Sequence, residues 1–152
     1  MRRPEFAPLV SLVALLALGP VAAVAVCGEA QAPPRDPALD RILGEWRGNS
    51  VCVDLEKAPF CHDEVVIYDF TRGDGWHADR THLKAYKVVD GRRELMGELD
   101  FDYDRAAGTW KCEFEAPRVH GRWSFQVEED RLTGMLVELP SEAVLRKVSA
   151  TR

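Results

Sequence analysis

The sequence predicts an all-β fold: an eight-stranded antiparallel up-and-down barrel preceded by one short helix, with a flattened β-sandwich as the alternative. Three observations predict it. After Gly44 the apolar residues recur at every second position, the period of a half-buried strand. The strand candidates follow one another through short loops, whereas a parallel crossover needs about a dozen or more residues, so neighbours in sequence pair antiparallel. Each strand also has one apolar face, which closure into a barrel buries while removing exposed strand edges.

The elements follow in order. Asp36-Pro37 opens a helix, with Asp as N-cap and Pro in the first turn. Leu39, Ile42 and Leu43 fall on one face, and Gly44 ends the run. Trp46 to Leu55 is the first strand. Glu64 to Thr71 is the second, with Val66, Tyr68 and Phe70 on one face and Val65 and Ile67 on the other. His82 to Asp90 is the third, and Asp90-Gly91 is a hairpin turn. The fourth, Glu94 to Tyr103, places Leu95, Gly97, Leu99, Phe101 and Tyr103 together, with Glu98, Asp100 and Asp102 on its wet side.

Asp104 to Gly108 turns the chain. The fifth strand points Trp110, Cys112 and Phe114 inward and Lys111, Glu113 and Glu115 outward. After a turn over Pro117 to Gly121, the sixth points Trp123, Phe125 and Val127 inward. Glu129-Asp130 turns into the seventh, Arg131 to Leu139, where Gly134 suits a strongly bent strand with no room for a side chain. Pro140-Ser141-Glu142 turns again, and the eighth strand runs from Val144 to the C-terminus.

The 152 residues suffice for one domain, placed at residues 36–152. With 46% hydrophobic and 30% charged residues, the chain has the composition of a folding sequence. Twenty Lys and Arg stand against 25 Asp and Glu, a net charge of -5, and no basic stripe of a nucleic-acid binder is visible.

Residues 1–32 read as a signal peptide and linker. Met1-Arg2-Arg3 is a short positive start, Ala7 to Val26 is uncharged and apolar, and small and polar residues follow. A retained membrane helix is the competing reading, but no Lys/Arg flank follows the apolar run. Cleavage after Ala25 keeps Cys27, and cleavage after Ala30 or Ala32 discards it. Lipid attachment at Cys27 is a further alternative, and with it comes the only expected contact with a membrane. The expected location is therefore periplasmic or secreted, or anchored by lipid at Cys27.

Export implies an oxidising compartment, so the cysteines read as disulfide candidates. Cys52 and Cys61 flank a short loop containing Pro59 and are expected to pair. Cys112 is expected as a buried thiol, in preference to a pair with Cys27.

Gly44-Glu45-Trp46, at the start of the first strand after a short helix and before a meander, resembles the lipocalin-like (calycin) proteins, exported bacterial members among them. The resemblance runs from Gly44 to Arg152. It implies that Trp46 plugs one end of the barrel and that an Arg of the last strand, Arg146 or Arg152, packs on its ring. The domain is shorter than typical lipocalins and lacks their C-terminal helix.

An eight-stranded barrel is either filled by side chains or holds one small ligand. The expected ligand-binding residues are Tyr68, Phe70, Phe101, Tyr103, Trp110, Phe114, Trp123 and Phe125, and the expected ligand is an apolar small molecule. The loop from Gly73 to His82 is the longest polar one, and Trp76, His77 and His82 are candidate rim residues. His62, Asp63, Glu64, His77, Asp79 and His82 match no metal spacing, so no metal or cofactor is expected. Ser50 and Ser124 lack a nucleophile-elbow setting, and Asp100 and Asp102 face outward, so catalysis is not expected. The alternative function is a solid barrel acting as a protein-interaction or protease-inhibitor module through its loops or N-terminal arm.

Overall fold

The computed structural model describes residues 36–74, 79–117 and 119–152. The segment read as a signal peptide, Cys27, and the candidate rim residues Trp76 and His77 lie outside the described residues. Pro37–Ile42 forms a 3-10 helix capped by Asp36, whose carboxylate accepts the Ala38 N–H at 2.9 Å. Eight strands follow: β1 (Gly44–Cys52), β2 (Glu64–Arg72), β3 (Thr81–Val89), β4 (Arg92–Asp104), β5 (Thr109–Ala116), β6 (Val119–Glu128), β7 (Arg131–Glu138) and β8 (Ala143–Thr151). They pair in sequence order and antiparallel, and β8 returns to pair with β1, so the barrel is closed. This arrangement is consistent with a lipocalin-like fold, and the flattened sandwich is set aside.

The end at which β1 begins is solid. Leu39 and Ile42 of the 3-10 helix are buried beneath it. Trp46 is fully buried and donates its indole N–H to the Ile42 carbonyl at 2.7 Å. Above it the rings of Phe70, Phe101 and Phe125 meet one another with centroids 5.4–5.9 Å apart. Offset and edge-on aromatic contacts of this kind add to the gain from burial, itself about 1.5–3 kcal/mol for a fully buried ring. Gly134 lies against this cluster, where an added Cβ would run into the Phe125 ring.

Several boundaries differ from the sequence expectation, and three of them have a local cause. β1 stops at Cys52 rather than Leu55, because the Asp54 carboxylate and carbonyl turn the chain by accepting the N–H groups of Lys57 and Ala58 at 3.0 Å each. β6 begins at Val119, within the expected turn, by pairing with Ala116. The helical run stops at Ile42, and Gly44, at φ 107°, opens β1 instead of ending the helix.

The larger correction concerns β4. Ala85 pairs with Gly97 but Tyr86 pairs with Leu95, so Met96 is an extra residue on β4. One inserted residue reverses which face each following position takes. Leu95, expected inside with Gly97 and Leu99, is therefore on the outer face beside Tyr86 and is 54% exposed. Arg93, on the same side of the bulge, reaches the outward Glu45 of β1 at 2.6 Å. That hydrogen bond, with a second from Arg47, holds the Glu45 carboxyl below its ordinary range.

β4 and β5 are partnered over three residues only: Asp102 with Lys111, Tyr103 with Trp110 and Asp104 with Thr109. Continuing that ladder would set Glu113 directly opposite Asp100 and Glu115 opposite Glu98, all on the outer face. Like charges directly opposed across a ladder are destabilising. The two strands separate there, leaving a groove of about 580 Å³ with Leu99 and Cys112 among its lining residues.

Candidate functional site

The half of the barrel opposite Trp46 is hollow. A cavity of about 290 Å³ is lined by Tyr68, Leu83, Ala85, Met96, Gly97, Leu99, Phe114, Trp123 and Phe125, with Ser50, Glu64, Glu98 and Arg146 supplying the polar atoms. Its cause is local. Ala85 and Gly97 face each other across the β3–β4 ladder at inward positions. A Cβ added to Gly97 would meet nothing within 4 Å. Two missing side chains at one level thus leave the space that phenylalanines fill in the solid half.

The polar end is built around Arg146 of β8. Its Nε donates to the Ser50 hydroxyl at 2.9 Å, and its Nη2 to the Ser50 and His62 carbonyls at 3.1 and 2.8 Å and to Glu64 at 3.0 Å. Its Nη1 lies 3.4 Å from the Cys61 sulfur. Both partners of the Arg146–Glu64 pair are largely buried, so the hydrogen bonds that complete the guanidinium's shell offset the cost of removing charge from water. Tyr68 is hydrogen-bonded to Ser50, and burial pushes its phenol up to about 12, so it stays neutral. The cavity therefore has aromatic and aliphatic walls and one hydrogen-bonding corner, the usual make-up of a small-molecule site.

The structure divides the eight candidate ligand-binding residues. Tyr68, Phe114, Trp123 and Phe125 line the cavity, with Trp123 stacked on Phe125 at 5.4 Å. Phe70, Phe101 and Trp110 are at most 2% exposed and sit in the solid half, away from it. Tyr103 is half-buried against Trp110, with ring centroids 4.7 Å apart. They part because packing fills the barrel from the plugged end upward, and only rings beside Ala85 and Gly97 have free space in front of them.

Of the two arginines expected at Trp46, Arg152 is the one that packs on it, with its guanidinium 4.3 Å from the ring centroid. It also donates to the Leu43 and Arg41 carbonyls at 3.2 and 2.9 Å. Arg146 is at the other end of the barrel; five residues of β8, Lys147 to Thr151, lie between the two. Cys52 and Cys61 form the expected disulfide, with Cα atoms 6.0 Å apart. Cys112 is a free, buried thiol whose pKa is raised, first by burial and then by Asp100 and Asp102.

His82 is outside the barrel, with Nδ1 2.8 Å from Asp100 and Nε2 3.0 Å from Glu98. Among the described residues no group of three or more His, Cys, Asp or Glu is arranged to hold a metal ion. The residues missed at the sequence level are Arg146 and Glu64 as the polar corner and Ala85 and Gly97 as the hollow. Their signal was present: two of the smallest residues at inward positions of neighbouring strands. No protein-family model matches the chain, and no curated protein matches it.

Proposed function

We propose that the protein is an exported, lipocalin-like binding barrel that holds a small apolar molecule carrying one hydrogen-bonding group. The observation that supports this reading is the cavity beside Ala85 and Gly97, with apolar walls and the Arg146–Glu64–Tyr68 corner. Its 290 Å³ is at the lower limit for small-molecule pockets, so the ligand is one or two rings or a short chain. Arg146 is already neutralised by Glu64, which favours a neutral ligand over an anion. Binding is favoured over catalysis because the Ser50 hydroxyl is held by Arg146 and Tyr68, and among the described residues no histidine side chain is hydrogen-bonded to it. The disulfide accords with an oxidising location.

The test is fluorescence titration with N-phenyl-1-naphthylamine, a neutral two-ring probe. The native protein is expected to bind it, and Gly97→Leu, which fills the hollow from β4, is expected to weaken binding at least about tenfold while keeping the unfolding midpoint. No uptake by the native protein, or equal uptake by both, would overturn the reading.

A further inference from the structure

We propose that the gap between β4 and β5 is a docking site for an extended peptide of alternating basic and apolar residues, which adds as a strand between them. The inference stands apart from the small-molecule reading, since it rests on the strand edges rather than on the cavity alone.

Three observations carry it. First, the gap is bounded by backbone on both sides. From Gly97 to Phe101 β4 is partnered only by β3, and from Cys112 to Ala116 β5 is partnered only by β6. Two facing rows of peptide groups without ladder partners call for an occupant with N–H and C=O groups at strand spacing on both its edges. A small molecule has no such edges. A second copy of this barrel could offer one edge, since the other edge of each of its strands is already occupied, and so would satisfy only one row.

Second, the lips carry like charge. Glu98 and Asp100 line the outer side of β4, and Glu113 and Glu115 the outer side of β5. The cations that pair with them are His82 and Lys84 on β3 and Arg122 on β6; His82 and Arg122 line the groove, as do Arg80 and Lys111, which are paired with Asp102 and Asp104. The same repulsion that keeps β4 and β5 apart favours Lys or Arg at the outward positions of a strand lying between them.

Third, Leu99 and Cys112 form an apolar floor in a groove whose other lining residues are charged or polar. Leu99 lines both the outer groove and the cavity, with Phe114 and Trp123 beyond it. An inserted strand turns alternate side chains that way, and the cavity has room for one large apolar side chain.

Hydrogen exchange on the full protein tests this, with the capped heptapeptide Thr-Val-Lys-Phe-Lys-Val-Thr as probe. In the free protein the gap-facing amides of Gly97 to Phe101 and Cys112 to Ala116 should exchange faster than those of the β1–β2 ladder. Saturating peptide should slow them at least about tenfold. The same peptide with Glu for Lys, and one N-methylated at both Lys residues and the Phe between them, which blocks both edges, should give no slowing. Gap amides as slow as those of β1–β2 in the free protein would overturn the proposal. So would no slowing by the Lys peptide, or equal slowing by either control. Uptake of N-phenyl-1-naphthylamine is read on the peptide-free protein, so the two proposals fail independently.

Discussion

The Arg152 guanidinium lies 4.3 Å from the centre of the Trp46 ring while donating to the carbonyls of Arg41 and Leu43. One side chain from the last strand thus fastens the first strand and the helix that precedes it. Removing it forfeits a cation–π contact and strands two carbonyls. Arg152→Ala is expected to cost about 1–3 kcal/mol in urea unfolding. Arg152→Lys, which keeps the charge but not the fork of donors, should recover only part of the loss.

The Cys52–Cys61 bridge closes a loop with a sequence separation of 9. By the loop-entropy relation, replacing both cysteines by serine should lower stability by about 2–3 kcal/mol. The Cys61 sulfur also touches Arg146, so the effect should extend inward. In the double variant, affinity for the naphthylamine probe should fall as well as the unfolding midpoint.

His82 is raised above 6.5, chiefly by its hydrogen bond to Asp100; burial opposes this, and the hydrogen bond to Glu98 adds a lesser upward push. The protonated form is the one favoured by folding. Its contribution is therefore fully present below the unfolded value of about 6.5 and is lost as pH rises through the higher folded value. The difference in unfolding midpoint between native protein and His82→Gln should be largest in mild acid and shrink at alkaline pH. A difference that stays constant with pH would contradict this.

The separation of β4 from β5 is ascribed to carboxylates that would otherwise face one another. Replacing Glu113 and Glu115 by lysine should let the ladder continue past Lys111. The amides of Cys112 to Ala116 should then become protected from exchange, and the double variant should unfold at higher urea. Unchanged protection would show that something other than charge holds the strands apart.

Much of this architecture was legible in the sequence because alternation is a local signal. Trp110, Cys112 and Phe114 point inward because polar residues separate them, and no distant contact is needed to see it. Gly134 was legible for the same reason, since a bare position in a bent strand announces a close neighbour. The Met96 bulge was not legible, because Leu95, Gly97 and Leu99 keep perfect alternation in sequence. Only the pairing of Tyr86 with Leu95 shows that the ladder skips a residue. The choice between Arg146 and Arg152 at Trp46 was not legible, because the position of Arg146 depends on where Cys61, His62 and Glu64 lie in space.

The division of the rings follows the same logic. Phe70 and Phe125 look equivalent in sequence, both being aromatic and inward. What sets them apart is what stands opposite, and that is decided by Ala85 and Gly97 on other strands. A list of inward aromatics therefore identifies the lining of the barrel without saying where the lining is loose.

The pairing of Ala85 with Gly97 makes the chamber adjustable. Its capacity is fixed by two short side chains and not by the number or tilt of the staves, so single exchanges at these sites would resize it in steps of one or two carbon atoms. Under the proposed binding role, preference would then drift between related molecules while the plug at Trp46 and the Arg152 clasp kept the frame unchanged.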